Sequence, residues 1–587
     1  MAQSRKASGR GAIERLFVFA AMAACSFPSA AMARDFELLI RGGTVIDGTG
    51  SARRVADVGV IGDTVVAVGN LTGSTGKTEI KATGLMVTPG FIDMHAHLGG
   101  ESGLDSKDVR RRAAQNFVAQ GITSAAINPD GRQPDSLVDQ RRGYEKNGIG
   151  VNVALFNGHN ALRAMTMGKT PNRPATAAEI EAMKDILRRG LEKEGSFGLS
   201  LGVEYDSGRF STSDELVELS RVLPEYHGVY TSHLRSQGIS PMWYDPSRNK
   251  GTPAPTLEDA FKETIRTADE TGAVTVITHM KGWGPGYRGQ AAKCIAEVQA
   301  ARDRGAKLYI DVYSFDSTGS DGNFILLPAW ALGEEDAAPS TAPKDYSSEL
   351  KAVLAEGPRA LADLRLDVDQ QLALKGGAEN VVVLDYKDKS YIGKKLADIM
   401  AIRKMDATEL AIALQTEGDS TLPGGIKMRS LSLDEKDVAA YYAQPWAATS
   451  TDGAIVLPEE AVGPKKYIGT NRRNFGTYPR RLAYVSQVQK ADSFEEAVRK
   501  SSGLPAEILN IHDRGKLAAG MKADIVILDM ATLADTTSVA EPSVYPTGVQ
   551  HVFVNGVAAV RDGQRTLALA GRVLDPPGRA AQPFGAR

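Results

Sequence analysis

Four short strings, far apart in the chain, each set a metal-binding or acid–base side chain just behind an apolar, strand-like run. They are Gly90-Phe91-Ile92-Asp93-Met94-His95-Ala96-His97, Tyr230-Thr231-Ser232-His233, Val276-Ile277-Thr278-His279 and Thr449-Ser450-Thr451-Asp452-Gly453. Successive strand residues point to opposite faces, so His95 and His97 project to the same side. If the strands are staves of one barrel, their carboxyl ends share a cavity, and the histidines and the aspartate converge there. Imidazoles and a carboxylate so gathered can hold a divalent metal and handle a proton, which is the equipment of metal-dependent hydrolysis.

A lone His-x-His arises often by chance. This one directly follows a buried-type strand, where two imidazoles on one face have no solvent to meet, and that favours a metal. His233 and His279 end consecutive strands, each with a cation two positions on, Arg235 and Lys281. Those cations fall on the same face and suit a substrate carboxylate or a developing oxyanion. Asp452 can ligate metal, take a proton from water and return it to a leaving amine, although Asp-Gly is also a common turn. Asp130, in Ile127-Asn128-Pro129-Asp130-Gly131, ends the second strand and can ligate one metal or bridge two, against a turn reading of the same dipeptides. His159 ends the third strand and is expected to face the cavity. His227 falls in a loop, and His512 and His551 belong with the terminal β-structure.

The elements that must position these groups alternate strand and helix. Strands are expected near residues 86–94, 123–127, 151–156, 197–203, 228–233, 273–279, 307–312 and 446–452, with helices such as 177–192, 214–223, 256–271 and 291–304 between them. Eight such βα units imply an α/β fold, a (β/α)8 TIM barrel. Residues 34–88 and 513–587 read instead as short strands and glycine turns, including a hairpin at Asn555-Gly556. Neither end can bury a core alone, so the two are expected to form one small β-sandwich around the barrel of residues 89–512. Within the barrel the rhythm breaks at about 316–445, read as an insertion after strand seven that covers the active-site mouth.

Composition bounds the rest. The 587 residues carry a net charge of −2, so no basic field favours nucleic acid. Lys6, Arg10 and Arg15, an apolar run from Leu16 to Ala24 and Ala31-Met32-Ala33 read as a signal peptide over residues 1–33, with a periplasmic or secreted product. Simple cleavage is preferred to acylation of Cys25. No later run is long and apolar enough for a membrane span. Once Cys25 leaves, Cys294 is the sole cysteine, which excludes an intrachain disulfide and a thiolate-rich zinc site. Any metal must be held by nitrogen and oxygen.

The chain resembles the amidohydrolase superfamily and, within it, the N-acyl-D-amino-acid deacylase (D-aminoacylase) family. The resemblance runs from Leu39-Ile40-Arg41-Gly42-Gly43-Thr44-Val45-Ile46-Asp47-Gly48-Thr49-Gly50 and the His95/His97 string to Gly520-Met521-Lys522-Ala523-Asp524-Ile525-Val526. Narrower strings are Gly202-Val203-Glu204-Tyr205, Thr231-Ser232-His233-Leu234-Arg235, Leu327-Pro328-Ala329-Trp330 and Phe475-Gly476-Thr477-Tyr478-Pro479-Arg480. It implies a zinc enzyme, with one or two Zn2+ or another divalent metal, that hydrolyses an amide to a carboxylic acid and an amino acid. His95 and His97 would bind the looser ion, His233 and His279 the tighter one, and Asp452 would be the acid–base. Tyr205 and Lys281 would contact substrate. Apart from the resemblance, placement at strand ends makes Arg235, Lys281 or Arg472 candidates to hold the free carboxylate of the substrate, with His159 expected to assist the metal at the scissile carbonyl.

Two strings depart from the family. Its cysteine ligand after strand two, in Gly-Asn-Cys-Gly, is replaced by Asn128-Pro129-Asp130-Gly131, a harder ligand that alters metal preference. Its His-Pro-Arg string reads Asn471-Arg472-Arg473, which opens the question of substrate and of the D label. The fourth strand, residues 197–203, offers no lysine for a carboxylated metal bridge, which argues against a hydantoinase or dihydroorotase. The expected partner is a small-molecule amide, with no nucleic acid and no membrane after leader cleavage; a homo-oligomer is compatible. Alternative readings are a dipeptidase or cyclic-amide hydrolase of the same superfamily, and a catalytically silent binding barrel.

Overall fold

The computed structural model describes residues 34–168, 171–334, 344–461 and 471–577. The leader expected at residues 1–33, with Cys25, lies outside them. Eight parallel strands form one sheet in chain order: Phe91–Asp93, Ile122–Ile127, Asn152–Gly158, Ser196–Gly202, Val229–His233, Val274–Ile277, Leu308–Val312 and Ala447–Thr449. Seven lie where the apolar runs put them; the run expected at 86–94 is split at Gly90, so that only Phe91–Asp93 is a barrel strand and Met86–Pro89 pairs instead with Ile525–Leu528 in the sheet of the chain ends. Six of them, all but Val274–Ile277 and Leu308–Val312, are buried along their whole length. That is why they read as continuous rather than alternating runs: helices cover one face and the barrel interior the other.

The first and last strands meet at a seam. The Asp452 amide donates to the His95 carbonyl at 2.9 Å, and Ala96–His97 pairs in parallel with Gly453–Ala454. The seam therefore brings the His95/His97 tip directly against the Asp452 tip. Close strand approach also explains a glycine. A Cβ on Gly198 would lie 1.9 Å from the Val229 carbonyl oxygen, so no side chain fits between the fourth and fifth strands.

Surrounding helices start where the sequence supplies caps. Thr176 and Thr256 each accept from the backbone three residues on, and Glu179 and Asp259 return the bond in full capping boxes. Leu199, Leu201 and Val203 pack with Leu162, Met183, Leu187 and Leu216 from the neighbouring helices. The intervening residues of that strand, Gly198, Ser200 and Gly202, thus belong to its inner face.

Both chain ends share one sheet of nine strands, joined where Met86–Pro89 runs antiparallel to Ile525–Leu528. The expected hairpin is present: Val549–Val554 and Val557–Arg561 flank Asn555-Gly556, both at positive φ. The insertion carries its own core around Leu350, Leu364, Val383, Leu396 and Leu410. Each of its two long helical stretches is broken in two. Gly357 at φ 100 followed by Pro358 separates Tyr346–Ala355 from Pro358–Leu374, and Lys404 at φ 55 ends Leu396–Arg403 ahead of Ala407–Glu417. The insertion reaches the barrel mouth through Lys375, whose Nζ lies 4.6 Å from the centre of the Trp283 ring.

Candidate active site

The strand tips assemble a compact cluster. His95 Nε2 lies 3.3 Å from Asp130 Oδ1 and 3.6 Å from Asp452 Oδ1. His97 Nε2 lies 3.1 Å from Asp452 Oδ1 and 3.4 Å from Asp130 Oδ2. His233 Nδ1 lies 2.9 Å from His279 Nε2, and both nitrogens are within 3.7 Å of Asp130 Oδ1. Two donor groups overlap at His95: His95 with Asp130 and His279, and His95 with His97 and Asp452, each within a 4.8 Å span. Asp130, His279 and Asp452 adopt positive φ, at 56, 37 and 48. Such backbone costs of order 1–3 kcal/mol per residue and persists where the surroundings impose it.

The cluster fits a divalent metal. His95 Nε2 and Asp130 Oδ1 are buried and make no hydrogen bond, which leaves a lone pair on each without a partner in a dry site. Protonation states agree. Burial pushes His95 down to about 4 and His279 well below the usual histidine range, so both are neutral at pH 7. Burial raises Asp130 and Asp452, but the imidazoles around Asp130 and the Arg473 cation beside Asp452 outweigh it and hold both carboxylates ionised. His233 is the exception. Burial lowers it, yet Asp130 and Glu204 carry it up to about 9, so metal uptake there releases a proton. All donors are nitrogen or oxygen, a set that suits zinc and its divalent neighbours.

A cavity of about 380 Å³ opens above the cluster, lined among others by His97, Asp130, Tyr205, Lys281, Asp452 and Arg473. Lys281 is buried, which lowers its ammonium to about 8. A tier of buried carboxylates holds the tips in place. Asp93 accepts from the His95 and Thr451 amides at 3.1 and 2.9 Å, and Asp311 accepts from the His279 amide at 2.7 Å and from the Ser450 hydroxyl.

Eight residues singled out in the sequence therefore meet here: His95, His97, Asp130, Tyr205, His233, His279, Lys281 and Asp452. Three do not. His159 opens the helix His159–Met167, and its buried ring puts Nε2 2.9 Å from Glu215 Oε1. Arg163 donates to both oxygens of Glu215 at 2.5 and 2.6 Å, completing a buried triad away from the cavity. Arg235 is spent on Glu263, at 2.9 Å, and on the Arg209 and Ser211 carbonyls. Arg472 points to Asp535, at 3.1 Å, and Thr537. None of the three lines the cavity; each has a nearby carboxylate that the sequence does not reveal.

The triad gives a stability prediction. Burial raises the Glu215 carboxyl, but His159 and Arg163 hold it below its ordinary value. A depressed folded-state pKa stabilises above the unfolded value of about 4.3 and loses that contribution as pH falls through the folded value. Glu215→Ala strands the Arg163 charge and is expected to cost about 3–5 kcal/mol in urea unfolding at pH 7. A loss below about 1 kcal/mol would contradict this.

Two functional-looking groups escaped the sequence reading. Arg473, next to the arginine singled out, donates to Asp452 Oδ2 at 2.6 Å. Glu204, buried, lies beside His233. The alternation of Gly198, Ser200 and Gly202 along the inner face carries on to position 204 and was the available signal for it.

Comparison with known proteins agrees with this geometry. The model of the amidohydrolase family (Amidohydro_3) matches residues 448–560. The D-aminoacylase of Alcaligenes xylosoxydans xylosoxydans is 27% identical over 566 residues, covering 92% of this chain and 98% of that protein. The N-acyl-D-glutamate deacylase of the same organism is 27% identical over 549 residues, covering 90% and 94%. A crystal structure of D-aminoacylase, studied for the functional role of its binuclear metal centre, superposes with a TM-score of 0.66 at 26% identity, covering 92% of this chain and all of that one. With its barrel and its histidine–aspartate cluster in hand, the chain is a metal-dependent amidohydrolase acting on carbon–nitrogen bonds other than peptide bonds, similar over nearly its whole length to D-aminoacylase and N-acyl-D-glutamate deacylase.

Proposed function

We propose that the protein hydrolyses the linear amide of an N-acyl amino acid, releasing a carboxylic acid and the free amino acid. The observation that carries this reading is one cavity joining the metal-ligand cluster and Asp452 to three cations, Arg132, Lys281 and Arg473. His95, His97, Asp130, His233 and His279 would hold the metal, zinc on the nature of the ligands, with Asp452 within reach. When bound, such an ion polarises the scissile carbonyl and lowers the pKa of water to about 7.

The chain's own residues do the rest. Asp452, kept ionised by Arg473, accepts a proton from the attacking water as its oxygen bonds to the carbonyl carbon. The carbon–nitrogen bond then breaks, and Asp452 returns that proton to the departing nitrogen. Lys281 holds the substrate carboxylate by a charge-assisted hydrogen bond, which fixes which amide reaches Asp452.

Because the Lys281 ammonium sits at about 8, it is charged below that pH and neutral above. The Michaelis constant is expected to rise as pH passes about 8, and Lys281→Arg, charged throughout, to remove that limb. A limb unchanged in the variant would take Lys281 out of carboxylate binding. Export with removal of residues 1–33 is part of the same proposal, supported by the basic, apolar and small-residue order of the leader. Hydrolysis rates on paired D- and L-N-acyl amino acids, beside matched cyclic amides, test the substrate reading. Turnover of cyclic amides alone would replace it.

A further inference from the structure

Glu204 follows the fourth barrel strand by two residues, with its side chain fully enclosed. Oε2 lies 2.7 Å from His233 Nε2, and Oε1 accepts from the Met242 amide at 2.7 Å. Both oxygens are therefore engaged, one by a ring on the tip of the fifth strand, the other by the loop that follows that strand. The other ring nitrogen of His233, Nδ1, faces His279 Nε2 at 2.9 Å, Tyr205 Oη at 3.2 Å and Asp130 Oδ1 at 3.6 Å.

At 2.7 Å the Glu204 oxygen and His233 Nε2 share a hydrogen, and with a carboxylate as acceptor it is the ring nitrogen that donates it. The opposite nitrogen is then the one that can present a lone pair. Carboxylates that bind the far side of a ligating imidazole in this way fix its tautomer and raise its basicity. We propose that Glu204 is a positioning residue that keeps His233 with Nδ1 free to ligate, while its second oxygen ties that ring to the backbone of Met242. The assignment rests on the cluster being a metal centre. Met242 lines the substrate cavity, so the same carboxylate that orients a ligand also pins part of the cavity wall.

Substitution separates the two duties. In Glu204→Gln the amide oxygen still accepts from Met242, but the amide nitrogen is a donor set against His233 Nε2. The ring must then carry its hydrogen on Nδ1, and the lone pair is lost from the metal side. Metal affinity, measured by competition with a chromogenic chelator using zinc alone, is expected to fall by ~10–100-fold with the far-ultraviolet circular dichroism unchanged. Glu204→Asp, which keeps an acceptor-only group, is expected to bind zinc more tightly than Glu204→Gln. Equal affinity in Glu204→Gln and the wild type overturns the assignment, and so do equal losses in both variants. Should the buried variants not fold, Met242→Pro deletes the amide that steadies Glu204 and Met242→Leu changes the side chain but keeps that amide: zinc binding weaker in Met242→Pro than in Met242→Leu supports the proposal and equal binding in the two overturns it. Wild-type protein that binds no zinc would instead defeat the metal-centre reading on which this rests.

Discussion

Asp452→Asn is expected to lower kcat by ~10²–10⁴, the usual contribution of a positioned acid–base group. Its carboxylate stands 3.1 Å from His97 Nε2 and receives a 2.6 Å hydrogen bond from Arg473, so it is ionised, oriented and at the floor of the cavity. Asparagine preserves the shape of the side chain but cannot take a proton. Asp452 also belongs to one of the two donor groups, so the assay should be run with saturating zinc, where loss of an ion cannot stand in for loss of a base. A variant that keeps its metal and its rate would remove Asp452 from the chemistry. Arg473→Met should act through the same carboxylate: without the neighbouring cation the Asp452 pKa rises, and the acid limb of the pH–rate profile moves to higher pH.

Stripping the metal is expected to have the second large effect. Lewis-acid stabilisation is worth several kcal/mol, and each 1.36 kcal/mol is a tenfold change in rate, so dialysis against a chelator should lower turnover by roughly 10³-fold or more. Zinc added back should restore it. The same titration should raise the melting temperature, because a ligand that binds only the folded chain at ~1,000 times its Kd adds about 4 kcal/mol. Activity that survives thorough chelation would favour a different chemistry for the cavity.

The barrel was legible because its staves are short, mostly apolar runs alternating with helix-like stretches, a signal that survives without knowledge of neighbours. His95, His97, His233, His279 and Asp452 were legible for the same reason: they sit at strand tips, and strand tips share one rim. What the sequence hid was local rotation and distant pairing. His159 also ends a strand, yet its residue opens a helix, and its partner Glu215 lies 56 positions on. Arg472 and Arg473 begin one helix, Arg473–Arg480, where one step of sequence turns a side chain about 100°. Arg473 reaches Asp452, and Arg472 reaches Asp535. Glu204 lay on a face whose alternation was readable, but a lone glutamate after a glycine-rich strand gives no hint of the imidazole that waits beside it.

The central claim is that rings from separate strand tips share an ion, and crystals grown with zinc test it most directly. Diffraction data collected on both sides of the zinc absorption edge should give an anomalous peak among His95, Asp130, His233 and His279, within ligand distance of their nitrogen and oxygen atoms. A cavity without such a peak, in crystals whose protein binds zinc elsewhere, would contradict the account.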